Sequence, residues 1–199
     1  GNGYPRTGTL HEQRLVAAAT NKNQQTIWGS RTGEPLDFTL GVNDDDAFAF
    51  TIGSDEATQV AYVSSARNLV VLSYNGEYTM QGGIEKPITP TNVQIKPHTP
   101  HGCATVRPVQ VGRESVFVQR AGRKLRAMGY HYEEDGYKAP DLTTLAEHIT
   151  ATGVVSMALQ QEPDPVVWAV LTNGRLVSVT LDRELDVIAW TSHEIDGAV

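Results

Sequence analysis

Two imidazoles and the chain's single thiol fall within Pro97-His98-Thr99-Pro100-His101-Gly102-Cys103. His and Cys are donors for zinc or copper. No fourth ligand is evident and the spacing matches no standard site, so the segment reads as a proline-rich connection ending in a core cysteine, with no metal or other cofactor expected. Asp44-Asp45-Asp46 offers hard oxygen donors of the kind calcium takes, but lacks the glycine and distal glutamate of an EF-hand loop. It reads as a solvated turn before the strand at Phe48. Facing a channel, it would repel DNA phosphate. Between Arg107 and Arg126 stand Arg107, Arg113, Arg120, Arg123, Lys124 and Arg126 against one acid, Glu114. Such a patch could neutralise phosphates. The chain as a whole is acidic, so the preferred reading is a solvated hairpin or a subunit contact. Asp44, Asp45 and Asp46, with Asp55 and Glu56, would supply the complementary acidic surface in a ring of head-to-tail copies.

The remaining reactive groups form no catalytic constellation. Glu133-Glu134-Asp135 and Glu162 with Asp164 are acid pairs, but a glycosidase needs its carboxylates about 5–10 Å apart across a cleft, and both sets lie in turn-like contexts. Glu147-His148 and His193-Glu194 have no nucleophile near them in sequence. Ser30, Ser64, Ser65 and Ser73 lie in no nucleophile elbow. Gln81-Gly82-Gly83 is a bend, not a phosphate loop. Tyr74, Tyr130, Tyr132 and Tyr137 are the candidate sugar platforms, with Tyr130-His131-Tyr132 beside Glu133 and Glu134 the best cluster. No enzymatic role is assigned.

The elements that must position these groups are strands. The chain has 199 residues, 40% of them hydrophobic and 20% charged, which excludes a disordered polypeptide. Sixteen basic residues against 23 acidic give a net charge of -7, which excludes a globally basic nucleic-acid binder. No apolar run approaches the roughly 20 residues that span a bilayer as a helix, so no membrane partner is expected. One cysteine permits neither an internal disulfide nor a multi-cysteine zinc site.

Short apolar runs separated by Asn, Gly, Asp and Pro mark an all-β chain. An internal repeat stands out: Leu69–Leu72 leads to Gly76, Ser115–Val118 to Gly122, and Val167–Val170 to Gly174, each followed by a more polar strand. Asn75-Gly76 and Asn173-Gly174 are hairpin signals because both residues tolerate positive φ. A period of about 40–50 residues suits four-stranded propeller blades. The expectation is an all-β fold of antiparallel blades in a partial β-propeller, with blade-like units at roughly 10–52, 57–96, 102–138 and 153–196. In the last unit the run 166–171 predicts a strand buried on both faces. Cys103 to Val111 predicts the inner strand of the third unit. The prolines between Gly82 and Pro100 bar that stretch from a central strand over much of its length. One short helix is predicted near 141–149, with Asp141 as N-cap and Leu142, Leu145, Ala146 and Ile149 as its apolar stripe. The chain opens on Gly1 and its first unit starts abruptly, so a piece of a longer protein is expected, with exposed apolar faces that favour self-association.

Several stretches together carry a resemblance. They are Arg14-Leu15-Val16, Gln25 to Arg31, Asp37-Phe38-Thr39, Asp45 to Phe48, Ile88 to Val93, Val118 to Lys124 and Gln160 to Asp164. From about residue 10 onward the chain resembles the tail tubular protein B, or nozzle, group of short-tailed bacteriophages and related virion propeller proteins. The resemblance implies a β-propeller core in a longer parent, a structural place in the virion tail, and oligomeric contacts with itself and other tail proteins around a conduit through which DNA passes. It brings no catalytic residues. The alternative from another class is a carbohydrate-binding or glycan-cleaving propeller used in host recognition, by fold analogy alone.

Overall fold

The computed structural model describes residues 3–53, 58–83, 86–183, 185 and 187–194, with Glu134 described by its backbone only. Asp55 and Glu56 lie outside the described residues. The chain divides into two compact units, Gly1–Cys103 and Ala104–Val199. Among the described residues each unit holds two four-stranded antiparallel sheets.

In the first unit, β1 (Thr7–His11), β2 (Arg14–Ala18), β3 (Thr26–Gly29) and β4 (Phe48–Thr51) form one sheet. β5 (Val60–Ser65), β6 (Leu69–Ser73), β7 (Glu77–Gln81) and β8 (Gln94–Thr99) form the other. In the second unit, β9 (Val109–Val111), β10 (Glu114–Val118), β11 (Leu125–His131) and β12 (Gly136–Lys138) precede β13 (Val154–Gln160), β14 (Val166–Leu171), β15 (Leu176–Asp182) and β16 (Val187–His193). Every sheet is a meander in which consecutive strands are neighbours. Among the described residues the helical content is a single 3-10 turn at Tyr132–Glu134.

Alternation sends one side chain in two to the core between each pair of sheets. In the first unit, Val16, Ala18, Ile27 and Phe48 of the first sheet meet Val60, Val63, Leu69 and Val71 of the second. In the second unit, Val116, Val118 and Leu125 meet Val167, Ala169, Val177 and Val179. The central hairpins at Gly76, Gly122 and Gly174 all form. Gly122 and Gly174 sit at φ 80° and 76°, as turn glycines do. Gly76 is present for a different reason: a Cβ there would lie 2.8 Å from the Thr99 carbonyl oxygen.

Three expectations need correction. Residues 141–150 form successive turns, not a helix. Ala146 N–H donates to Thr143 O (2.8 Å) and Ile149 N–H to Ala146 O (2.9 Å), without a continuous ladder. Asp141 takes the Thr143 N–H at 2.8 Å while Leu142 N–H is drawn to Leu125 O at 2.9 Å. So short a stretch, rich in threonine, does not outweigh those fixed contacts. The run Val166–Leu171 is not buried on both faces: Val167, Ala169 and Leu171 are buried, while Val166, Trp168 and Val170 are half-buried. The fully buried strand is β6, whose five residues are all buried. Finally, of Cys103 to Val111 only Val109–Val111 is strand. Pro108 has no N–H to pair, and Cys103 N–H instead donates to Ser73 O at 2.8 Å. The proline-bearing β8 is an edge strand, with Pro97 opposite Tyr78 at a register shift.

Candidate functional site

The basic residues do not form one patch. Arg113 is exposed at the tip of the two-residue turn joining β9 and β10. Arg120 and Arg123 are exposed in the turn joining β10 and β11, at the other end of that strand. The five residues of β10 put the two turns about 17 Å apart. Lys124 and Arg126 are half-buried and serve the unit itself. Lys124 Nζ donates to Asp141 Oδ2 at 2.9 Å and to Glu147 Oε1 at 2.7 Å. Arg126 donates from Nε to Gln119 Oε1 (2.8 Å) and from Nη1 to the Ala139 carbonyl (2.7 Å). The cations turned outward are therefore Arg113, Arg120 and Arg123, joined by Arg107.

Asp141 shows what these contacts do to a carboxyl. Burial pushes its pKa up, but hydrogen bonds from Thr143 and Lys124 outweigh that and hold it below the usual carboxylate range. The folded-state value is depressed, so its stabilisation is complete above the unfolded pKa of about 4 and fades as pH falls through the folded value. Asp141→Asn is expected to lower stability by about 1 kcal/mol at pH 7. The gap from the wild type should narrow as pH falls below the unfolded pKa toward the depressed folded value, read by urea unfolding across that range.

The acidic loop is organised from within. Arg31 Nη2 sits 3.0 Å from Asp45 Oδ2, its Nε 3.7 Å from Asp46 Oδ1, and its Nη1 3.7 Å from Asp37 Oδ2 and 3.9 Å from Glu34 Oε2. The hydrogen bond to Asp45 and the surrounding carboxylates raise the Arg31 pKa. Behind it lies Arg14, 2% exposed. Its guanidinium donates to the carbonyl oxygens of Ser30 (2.6 Å), Asp46 (2.7 Å) and Asp44 (2.5 Å), and stands 5.5 Å from the centre of the Phe48 ring. Asp44 and Asp45 remain exposed, so the loop presents negative charge on a braced backbone.

Sequence reasoning missed Arg14. Its signal was available: Arg14 shares parity with Val16 and Ala18 and so must point inward with them. Also unforeseen is Glu77, fully buried on β7, which accepts hydrogen bonds from the Thr99 hydroxyl and from His101 N–H at 3.3 Å. A lone glutamate before Tyr78 gives no such sign.

His98, Cys103, Tyr130 and Tyr137 are engaged within the fold. His98 Nε2 is 2.7 Å from the Thr79 hydroxyl. Cys103 is buried, and burial together with the Glu77 charge drives its thiol pKa far up. No set of three or more metal-binding side chains converges among the described residues. Tyr130 and Tyr137 stack edge to face at 5.6 Å, and the Tyr130 hydroxyl donates to Asp135, so neither offers an open platform. Tyr132 is 88% exposed. Among the described residues no helix is long and apolar enough to cross a membrane.

The site and sheets together define a class no finer than an all-β protein of four-stranded antiparallel meanders. No protein-family model matches the chain, and no curated protein matches it.

Proposed function

We propose that this chain is a structural component of a bacteriophage tail, its sheets being blades of a β-propeller in the wall of the conduit through which DNA leaves the particle. The observation that carries the reading is architectural. All four sheets are four-stranded meanders, and within each unit the first strands of the two sheets, β1 with β5 and β9 with β13, lie side by side as inner blade strands do. The resemblance of Gln25 to Arg31, Val118 to Lys124 and the related stretches to tail nozzle proteins supplies the context.

The role is geometric. Meanders packed face to face make a stiff wall with few open edges, and no residue performs a reaction. Exposed Arg113, Arg120 and Arg123 serve contacts with neighbouring tail subunits or transient DNA contact. The braced loop at Asp44, Asp45 and Asp46 supplies negative charge that does not hold phosphate. Copies of the chain form a ring in the virion tail. Immunogold labelling of intact short-tailed virions with an antibody against this chain tests the proposal. Gold at the tail is the expected result; gold on the capsid shell, or none on the particle, overturns it. In the alternative, a glycan-binding propeller, Tyr130 of the Tyr130-His131-Tyr132 cluster is engaged by Tyr137 and Asp135 while Tyr132 stays exposed, and a glycan array without binders would remove that reading.

A further inference from the structure

The first and last sheets each bury one face and leave the other open. On β1–β4 the open face carries Leu10 (67% exposed), half-buried Leu15, Ala17 and Trp28, and exposed Ala49. On β13–β16 it carries Ala158, Val166, Trp168, Val170 and Ala189, exposed or half-buried. The β13–β16 face also carries polar Ser156, Gln160, Ser178, Thr180, Thr191 and His193, and its one charged strand position is Asp182 at the end of β15, away from Trp168. Each face has a tryptophan near its middle. Trp168 is held in place: its Nε1–H donates to Gln160 Oε1 at 3.0 Å, and its ring lies 4.7 Å from the His193 ring, whose Nε2 is 2.8 Å from the Ser178 hydroxyl. A fixed aromatic among small side chains loses little rotamer freedom on being covered.

The packing inside the two units says what fits there. Leu72, Val118 and Val170 are equivalent, each being the last strand residue paired across its central turn, to Glu77, Leu125 and Leu176. The earlier sheet of the second unit packs on its neighbour through the Val118 side, with Val116. The later sheet of each unit packs through the opposite side, with Leu69 and Val71 or Val167 and Ala169. The first sheet follows the third. Its Val16 and Ala18 stand after a turn closed by His11 and Arg14, as Val116 and Val118 stand after one closed by Val111 and Glu114. The stacking therefore has a polarity, the same in both units. The open face of the last sheet is the Val170 side, which receives a following sheet. The open face of the first sheet is the side that receives a preceding one.

We infer that the chain associates head to tail, the open face of β1–β4 in one copy seating on the open face of β13–β16 in a second copy. The contact is heterologous, with Trp28 and Trp168 on its two sides, so it generates rings or open chains and not isologous dimers. It uses sheet faces and not the charged loops, and it stands on the packing polarity without the tail reading, so virion labelling and self-association fail independently.

The test uses the full chain in multi-angle light scattering after gel filtration, over a range of concentrations. The wild type is expected to grow in mass with concentration. Trp28→Lys and Trp168→Lys each bury a charge at the contact and are expected to stay monomeric. An equimolar mixture of the two is expected to double in mass and stop at a dimer, because each variant retains the face the other has lost. A wild type that remains monomeric at its highest soluble concentration overturns the inference. So does a Trp28→Lys or Trp168→Lys variant that dimerises alone, since that contact would be isologous. Circular dichroism confirms that the variants fold. Should either tryptophan variant unfold, Ala49→Lys and Ala158→Lys, at exposed positions on the same faces, replace them with the same expected outcomes.

Discussion

Arg14→Ala is expected to destabilise the protein by about 2–3 kcal/mol. The side chain is buried and its guanidinium satisfies three carbonyl oxygens, of Ser30, Asp44 and Asp46. Truncation leaves the buried Ser30 carbonyl and the part-buried Asp44 and Asp46 carbonyls short of donors, and opens a gap beside Phe48. Arg14→Lys recovers only part of the loss, since a single ammonium cannot span the planar fork that two guanidinium nitrogens fill. Urea unfolding reads the stability change. Cleavage by an Asp-directed protease reads the local one: in Arg14→Ala the loop at Asp44–Asp46 loses its brace and is cut faster. Unchanged stability and an unchanged cleavage rate would show that Arg14 does not hold this loop.

The second large effect separates two leucines that sequence periodicity places on one stripe. Leu142 is 3% exposed and belongs to the core of the second unit, whereas Leu145 is 96% exposed. Leu142→Ala is expected to cost about 2–5 kcal/mol through lost burial and the cavity left behind. Leu145→Ala is expected to change stability by less than about 0.5 kcal/mol. Were residues 141–149 helical with the predicted apolar face, both substitutions would be costly. Comparable losses at the two positions in chemical denaturation would contradict the turn conformation described above.

These two cases mark where the sequence could be read and where it could not. The strands were legible because alternation and turn chemistry are local: Val177, Val179 and Leu181 declare one face of β15, and Asn173-Gly174 declares the turn before it. The segment 141–150 was not, because its conformation is decided by Leu125 and Lys124, some 17 to 23 residues earlier, which bind Leu142, Asp141 and Glu147. The two-sided burial predicted for 166–171 failed for a related reason. A continuous apolar run shows that a strand can be covered on both faces, and what covers the second face is not written in the run. The candidate site divided in the same way. Arg120 and Arg123 follow from their place in a turn, while the internal duties of Lys124 and Arg126 depend on partners distant in sequence. Glu12-Gln13, a two-residue hairpin turn with φ of 47° and 62° and no glycine, gave no signal at all. It is stabilised by contacts from outside the hairpin: Ile88 N–H donates to Glu12 Oε2 at 2.8 Å and Gly33 N–H to the Gln13 carbonyl at 3.0 Å.

The meander order has a consequence for how the molecule comes into being. Since each sheet draws its strands from one uninterrupted stretch of polypeptide, no strand must wait for a distant part of the chain before it finds its neighbours. Pairings between adjacent segments close small loops and form early. On the ribosome the sheets can assemble in the sequence in which they emerge, each finished sheet offering a template for the next.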